Sequence, residues 1–200
     1  MICVCLIGSC ALPPVNEQQM IEKHPLDKSQ VSKLTLENGL KVYLLSDPDF
    51  NKSSASMCVD AGSLQDPENR QGLAHFLEHM LFLGTEKYPD VDEYSTYLRN
   101  NGGMSNAYTA GDHTNYQFQV FPNAFEGALD RFAQQFSHPL FTAELVDRER
   151  NAVHSEYSAK LKEDGRRLLS VRKAAGNPDH AFSQFAVGNL STLKNTDDNP

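Results

Sequence analysis

Apolar and polar residues alternate with period two through VSKLTLENGLKVYLLSD, and the Asn38-Gly39 pair in the middle marks a two-stranded hairpin. SSASMCVDAGS predicts a third strand. MSNAYTA and TNYQFQVF alternate in the same way around a turn at Gly111-Asp112. Between these runs the period becomes helical, from about Gly72 to Leu83 and again from about Val91 to Asn101, where Gly102-Gly103 closes the second helix. AFEGALDRFAQQF sets Phe125, Leu129, Phe132 and Phe136 on one stripe, which predicts a core-facing helix. A long, charged helical pattern then runs from Thr142 through about Lys173, with Gly165 as its candidate interruption. The set predicts an α+β fold: an antiparallel sheet of about five or six strands with helices packed on one face.

Residues 1–30 differ from this pattern. They are polar or proline-containing after a short apolar start, and read as an N-terminal leader. Ile7-Gly8-Ser9-Cys10 resembles a loose bacterial lipoprotein cleavage box, although no basic region precedes it and the apolar run is shorter than the usual ~7–15 residues. The expectation is a bacterial periplasmic or envelope protein, with the cytoplasm as the rival compartment. Residues 31–200 form one folded domain whose turn-rich tail ends on no closing element, so the domain is expected to be incomplete at its C-terminus.

Composition narrows the function classes. A formal charge of −8, with 18 Lys and Arg against 26 Asp and Glu, excludes a phosphate-binding surface and with it DNA or RNA as partner. No stretch approaches the roughly 20 apolar residues of a transmembrane span. Three of the four cysteines lie in the leader, which leaves no disulfide framework. Cys58, alternating with Met57 and Val59, reads as a small core residue.

GLAHFLEHML, residues 72–81, is nearly all apolar except for His75, Glu78 and His79. On a helix these stand at i, i+3 and i+4 and share a face, while the flanking Leu, Phe and Met cover the rest, so the segment reads as a buried helix. Unpaired, each polar group would cost several kcal/mol there, roughly the range for buried polar groups. Two imidazoles one turn apart suit a zinc ion, and the rival reading is a pair of core histidines bonded to the backbone. Chance yields His-x-x-Glu-His roughly 0.014 times in a chain of this composition, which favours the metal. Glu78 cannot share the ion with both histidines and leave a position open. Its better role is general base, taking a proton from an attacking water and passing it to a leaving amine.

His-x-x-Glu-His is the inverted zinc-peptidase motif. The chain resembles the N-terminal domain of the insulinase or pitrilysin family of zinc peptidases. The likeness runs from LENGLKVYLLSD through GLAHFLEHMLFLGTEKYP, NNGGMSNAYTAGDHTNYQFQV and ERNAVHSEY to GNPDHAFSQFAVGN, about residues 33–190.

The resemblance implies one zinc ion per chain, with His75, His79 and Glu156 as ligands and Glu149 supporting them from behind. Spacing alone leaves Glu156 free to pair with Lys160 at i+4, and leaves His154, His113 and Asp112 as rival ligands. The resemblance also implies an endopeptidase acting on peptides or small unfolded polypeptides. Their backbone would pair with an edge strand at Asn106 and Ala107, with Tyr108 lining the adjacent pocket; an interior strand is the competing reading. The further partners it implies are missing C-terminal domains of a longer chain, or a partner subunit, because the family's second half supplies an Arg and a Tyr to the site. The alternatives are a non-catalytic subunit of the same fold and a small-molecule metalloenzyme with a related motif.

Overall fold

The computed structural model describes residues 23–195. The lipoprotein-like box and residues 1–22 of the leader lie outside the described residues. From Lys23 to Ser29 the chain makes only a turn, in which the Asp27 amide donates to the His24 carbonyl, and regular structure begins at Gln30.

Five strands and five α-helices follow: β1 (Gln30–Thr35), β2 (Lys41–Ser46), β3 (Ser53–Val59), α1 (Leu73–Met80), α2 (Glu93–Asn100), β4 (Met104–Thr109), β5 (Thr114–Val120), α3 (Phe125–Ser137), α4 (Ala143–Lys160) and α5 (Asp164–Ala174). The α+β class and the antiparallel strands are as expected, but the strands divide into two sheets, β1-β2 and β3-β5-β4. The first is the anticipated hairpin: Thr35 faces Lys41, and the Asn38 side chain accepts the Leu40 amide across the turn. In the second, β4 and β5 are joined by a short turn in which the Ala110 amide donates to the His113 carbonyl. β4 is the outer strand.

The described residues fall into two compact units. One holds the residues up to Met57 together with Thr85–Asn106 and Tyr116–His138. Here the alternation of β5 buries Tyr116, Phe118 and Val120, and the stripe on α3 meets them. Phe118 and Phe132 stand 5.2 Å apart between ring centroids, Phe132 and Phe136 5.1 Å, and Tyr116 and Phe136 5.1 Å, all edge to face. Phe132 is 1% exposed, and burying such a side chain contributes about 1.5–3 kcal/mol.

The other unit comprises Cys58–Gly84, Ala107–Asn115 and the residues from Pro139 onward. It packs α1 against α4. Three sequence expectations change in it. Cys58 is exposed rather than a core residue: it lies at the end of β3, on the face opposite Ala55, where its neighbour Val59 is exposed as well. Helix α1 ends at Met80 and is only half-buried: Leu73 and Leu77, one turn apart, are 38% and 43% exposed, since no described element covers their side. The long helix breaks at residues 161–163, ahead of Gly165. Glu163 turns extended, and Asp164 opens α5 with a carboxylate in its first turn, where the helix dipole favours it. Among the described residues no helix is long and apolar enough to cross a membrane.

Candidate metal centre

Helix α1 starts abruptly. Its N-cap is Gly72, in the left-handed region at φ 91°, a conformation that disfavours any residue with a Cβ. The free amides of its first turn are met from outside by Asp66, whose two carboxylate oxygens accept from Gly72 at 2.7 Å and from Ala74 at 2.8 Å. Burial pushes the Asp66 carboxyl up, and the amides of Ala74, Gly72 and Leu73 pull it down without cancelling the effect. The helix is thereby anchored at the end that presents His75.

His75 and His79 stack edge to face, with ring centroids 4.9 Å apart. Opposite them, α4 presents Glu149, Val153, Glu156 and Lys160 at intervals of four, three and four, one stripe of that helix. Glu156 Oε2 lies 3.6 Å from His75 Nε2 and 3.6 Å from His79 Nε2. Its other oxygen, Oε1, accepts a short hydrogen bond from Lys160. The two oxygens of Glu156 thus face different groups, one the imidazoles and the other Lys160. Burial raises the Glu156 carboxyl, but the Lys160 bond and the nearby imidazoles outweigh it and hold the group below the usual glutamate range.

The remaining imidazole nitrogens face outward to acceptors. His75 Nδ1 meets the Val187 carbonyl at 2.7 Å, and His79 Nδ1 meets Glu149 Oε2 at 3.4 Å. Glu149 is in turn held by Arg148 at 3.2 Å. With both Nδ1 atoms facing acceptors, a ring in its neutral form carries its proton on Nδ1 and turns its Nε2 lone pair toward Glu156. Ligand atoms about 2.0–2.1 Å from a tetrahedral zinc ion lie about 3.3–3.4 Å apart, close to the two 3.6 Å separations found here. The donor set of two neutral imidazoles and one carboxylate fits zinc.

Glu78 does not join that cluster. Its Oε2 accepts from Thr109 Oγ1 at 2.6 Å, at the end of β4. Successive residues of a strand face opposite ways, so Tyr108 points away from the side that carries Thr109, and its hydroxyl pairs with His113 Nε2 at 3.3 Å. Asn106 shares the exposed parity of Tyr108, and Ala107 that of Thr109. Asn106 and Ala107 do lie on an outer strand, whose second edge is unpaired among the described residues.

The rival ligands stay apart from the cluster. Asp112 and His113 bind each other at 2.7 Å, and His154 rests beside Tyr157 with its Nδ1 buried and unpartnered. Among the described residues, His75, His79 and Glu156 form the group arranged to hold a metal, with their donor atoms within 4.8 Å of one another. Sequence reading missed Asp66, Thr109 and Val187. The first two carried weak signals, an acidic residue shortly before a helix and a hydroxyl at a strand end. Val187 carried none, because its contribution is a backbone carbonyl.

Comparison with known proteins agrees with this geometry. The family described as Insulinase (Peptidase family M16) matches residues 41–184. The human insulin-degrading enzyme is 54% identical over 174 residues, 87% of this chain and 17% of that protein. The A-factor-processing enzyme of Saccharomyces cerevisiae is 46% identical over 171 residues, covering 86% of this chain and 17% of its own length. The crystal structure of pitrilysin superposes with a TM-score of 0.86 at 42% identity, over 92% of this chain and 20% of that one. The chain thus spans less than a quarter of the length of these relatives.

Proposed function

The chain belongs to the insulinase family of peptidases, M16, and from that premise we propose that it is the zinc-binding domain of a metalloendopeptidase. The observation that carries the reading is the convergence of both Nε2 atoms on one Glu156 oxygen, with Glu78 beside them and outside the cluster. His75, His79 and Glu156 are the ligands, and Glu149 orients His79. A zinc ion held there supplies Lewis acidity and makes a water molecule easier to deprotonate.

The remaining chemistry belongs to the side chains. Glu78 is the general base. The Thr109 hydroxyl occupies Oε2 and leaves the second oxygen to take the water's proton and return it to the departing amine. The outer edge of β4 at Asn106 and Ala107 offers main-chain groups to an extended peptide, which suits a substrate of loosely defined sequence. Tyr108, 49% exposed and turned to the opposite face from Thr109, borders that edge. The substrate is a peptide or a small unfolded polypeptide. Full turnover needs further domains or a partner subunit to enclose it.

The test compares zinc content and peptide cleavage in wild type and Glu78→Gln, with the chain assayed alone and extended to the length of its relatives. We expect one zinc in both proteins, with hydrolysis lost in the variant, since the amide keeps the carboxylate's shape without its basicity. We also expect the 200-residue chain alone to cleave at least about a hundredfold more slowly than the extended one, because a preorganised oxyanion donor alone is worth about that much. Loss of zinc in Glu78→Gln would make Glu78 a ligand or structural partner. Absence of zinc from the wild type would overturn the reading.

A further inference from the structure

The two imidazoles are oriented by different means. His79 relies on Glu149, a side chain of the neighbouring helix. His75 relies on the main chain at Val187, 112 residues away, in a segment with no regular structure. The side chain of Val187 has no part in the contact, so whatever fixes the path of the backbone fixes the imidazole.

That path is pinned on both sides of Val187. Before it, the Phe185 amide donates to Gln71 Oε1 at 3.0 Å, immediately ahead of α1. After it, Gly188 is buried at φ 86° with its backbone directly against Gly72. A Cβ added to Gly72 would lie 2.2 Å from the Gly188 Cα, and one added to Gly188 would lie 2.8 Å from Leu193 Cδ1. Beyond, the Leu193 amide closes a turn on the Asn189 carbonyl at 2.9 Å, and the Leu193 side chain is 4% exposed. Two glycines in backbone contact thus bring a carbonyl to within 2.7 Å of Nδ1.

We propose that residues 185–193 form a positioning strap. Seated through the Gly72–Gly188 contact, it holds the Val187 carbonyl on His75, keeps the imidazole proton on Nδ1 and aims the Nε2 lone pair at Glu156. The inference rests on the zinc reading above for its consequence, though not for its geometry. His75 and His79 lie on one helix turn, yet half of the pair's competence is lent by a distant stretch of chain. Outer supports of ligating histidines typically change metal affinity by about 10–100-fold, and the strap should do the same.

The experiment uses the full chain. Zinc affinity is measured by competition with a chromophoric chelator, and the tautomer of His75 is read from its ring nitrogen NMR signals. Gly188→Ala should weaken zinc binding ten- to a hundredfold and convert an Nδ1–H imidazole into a tautomer mixture. Gln71→Leu, which loosens the strap without touching either glycine, should move both readouts in the same direction by less, and serves if Gly188→Ala fails to fold. Gly39→Ala is the control: Gly39 has φ 85°, but an added Cβ there meets nothing within 4 Å, so it carries the same backbone strain away from the strap. Unchanged zinc affinity and tautomer in folded Gly188→Ala or Gln71→Leu, or an equal change in Gly39→Ala, would overturn the proposal. A wild type that takes up no zinc would sink the functional reading instead, and the strap would then stand or fall on the His75 tautomer alone.

Discussion

Helices α3 and α4 use their inward faces for opposite ends. Over 13 residues α3 buries Ala128, Leu129, Phe132, Ala133 and Gln135, and three of its aromatic rings contact β5 or one another. Over 18 residues α4 buries Val153 alone, and the stripe around it reads Glu149, Val153, Glu156, Lys160. One helix contributes to stability through apolar burial. The other places charged groups where apolar ones would stabilise more, and those groups face the imidazoles, Glu149 at His79 and Glu156 at both. Stability and site chemistry therefore reside in different elements, and mutation should separate them.

The largest effect is expected in α3. Phe132→Ala should cost about 3–5 kcal/mol of stability by denaturant unfolding while leaving the zinc affinity of the folded protein unchanged. A matching loss of zinc affinity would dissolve the contrast. The mirror experiment, Glu156→Ala, should lower zinc affinity by more than about a hundredfold, since it removes a ligand rather than an outer support. Stability of the zinc-free protein should hardly change; a drop as large as that of Phe132→Ala would make Glu156 a structural residue.

Val153→Ala should cost about 1–2 kcal/mol, because it deletes the one buried apolar side chain of α4. A neutral result would mean that polar contacts alone seat the helix.

The smallest effect is electrostatic. Glu156 sits below its usual value of 4.5, so its contribution to stability is complete above that pH and is lost as pH falls through the lower folded value. Lys160→Met removes the hydrogen bond that opposes burial. It should shrink this acid-side loss in the zinc-free protein, with a change at neutral pH of at most about 1 kcal/mol for so exposed a pair. An unaltered acid profile would place the cause of the depressed carboxyl elsewhere.

Local pattern carried much of the fold. The Asn38-Gly39 hairpin, the alternation of β5 and the aromatic stripe of α3 each depend on residues a few positions apart, and each forms as its period predicts. Where burial depends on what lies across from an element, the pattern misleads. The apolar circumference of α1 predicts a buried helix, yet Leu73 and Leu77 stay exposed. Cys58 follows the strand alternation, but at the end of β3, where it and Val59 are both exposed.

The same division runs through the site. His75, Glu78 and His79 were legible from the sequence because helical spacing alone puts them on one face. Glu149 and Glu156 shared a stripe of a second helix by the same arithmetic, but spacing could not say which faced the histidines, because two helices far apart in sequence meet only through packing. What only the tertiary structure decided is the support: Asp66 on the first amides of α1, Thr109 on Glu78 and the Val187 carbonyl on His75. A backbone carbonyl is the same group in every residue, so its use at one place leaves no trace in composition or period. Its position is set by how closely Gly72 and Gly188 approach, which is a property of the folded path rather than of either segment.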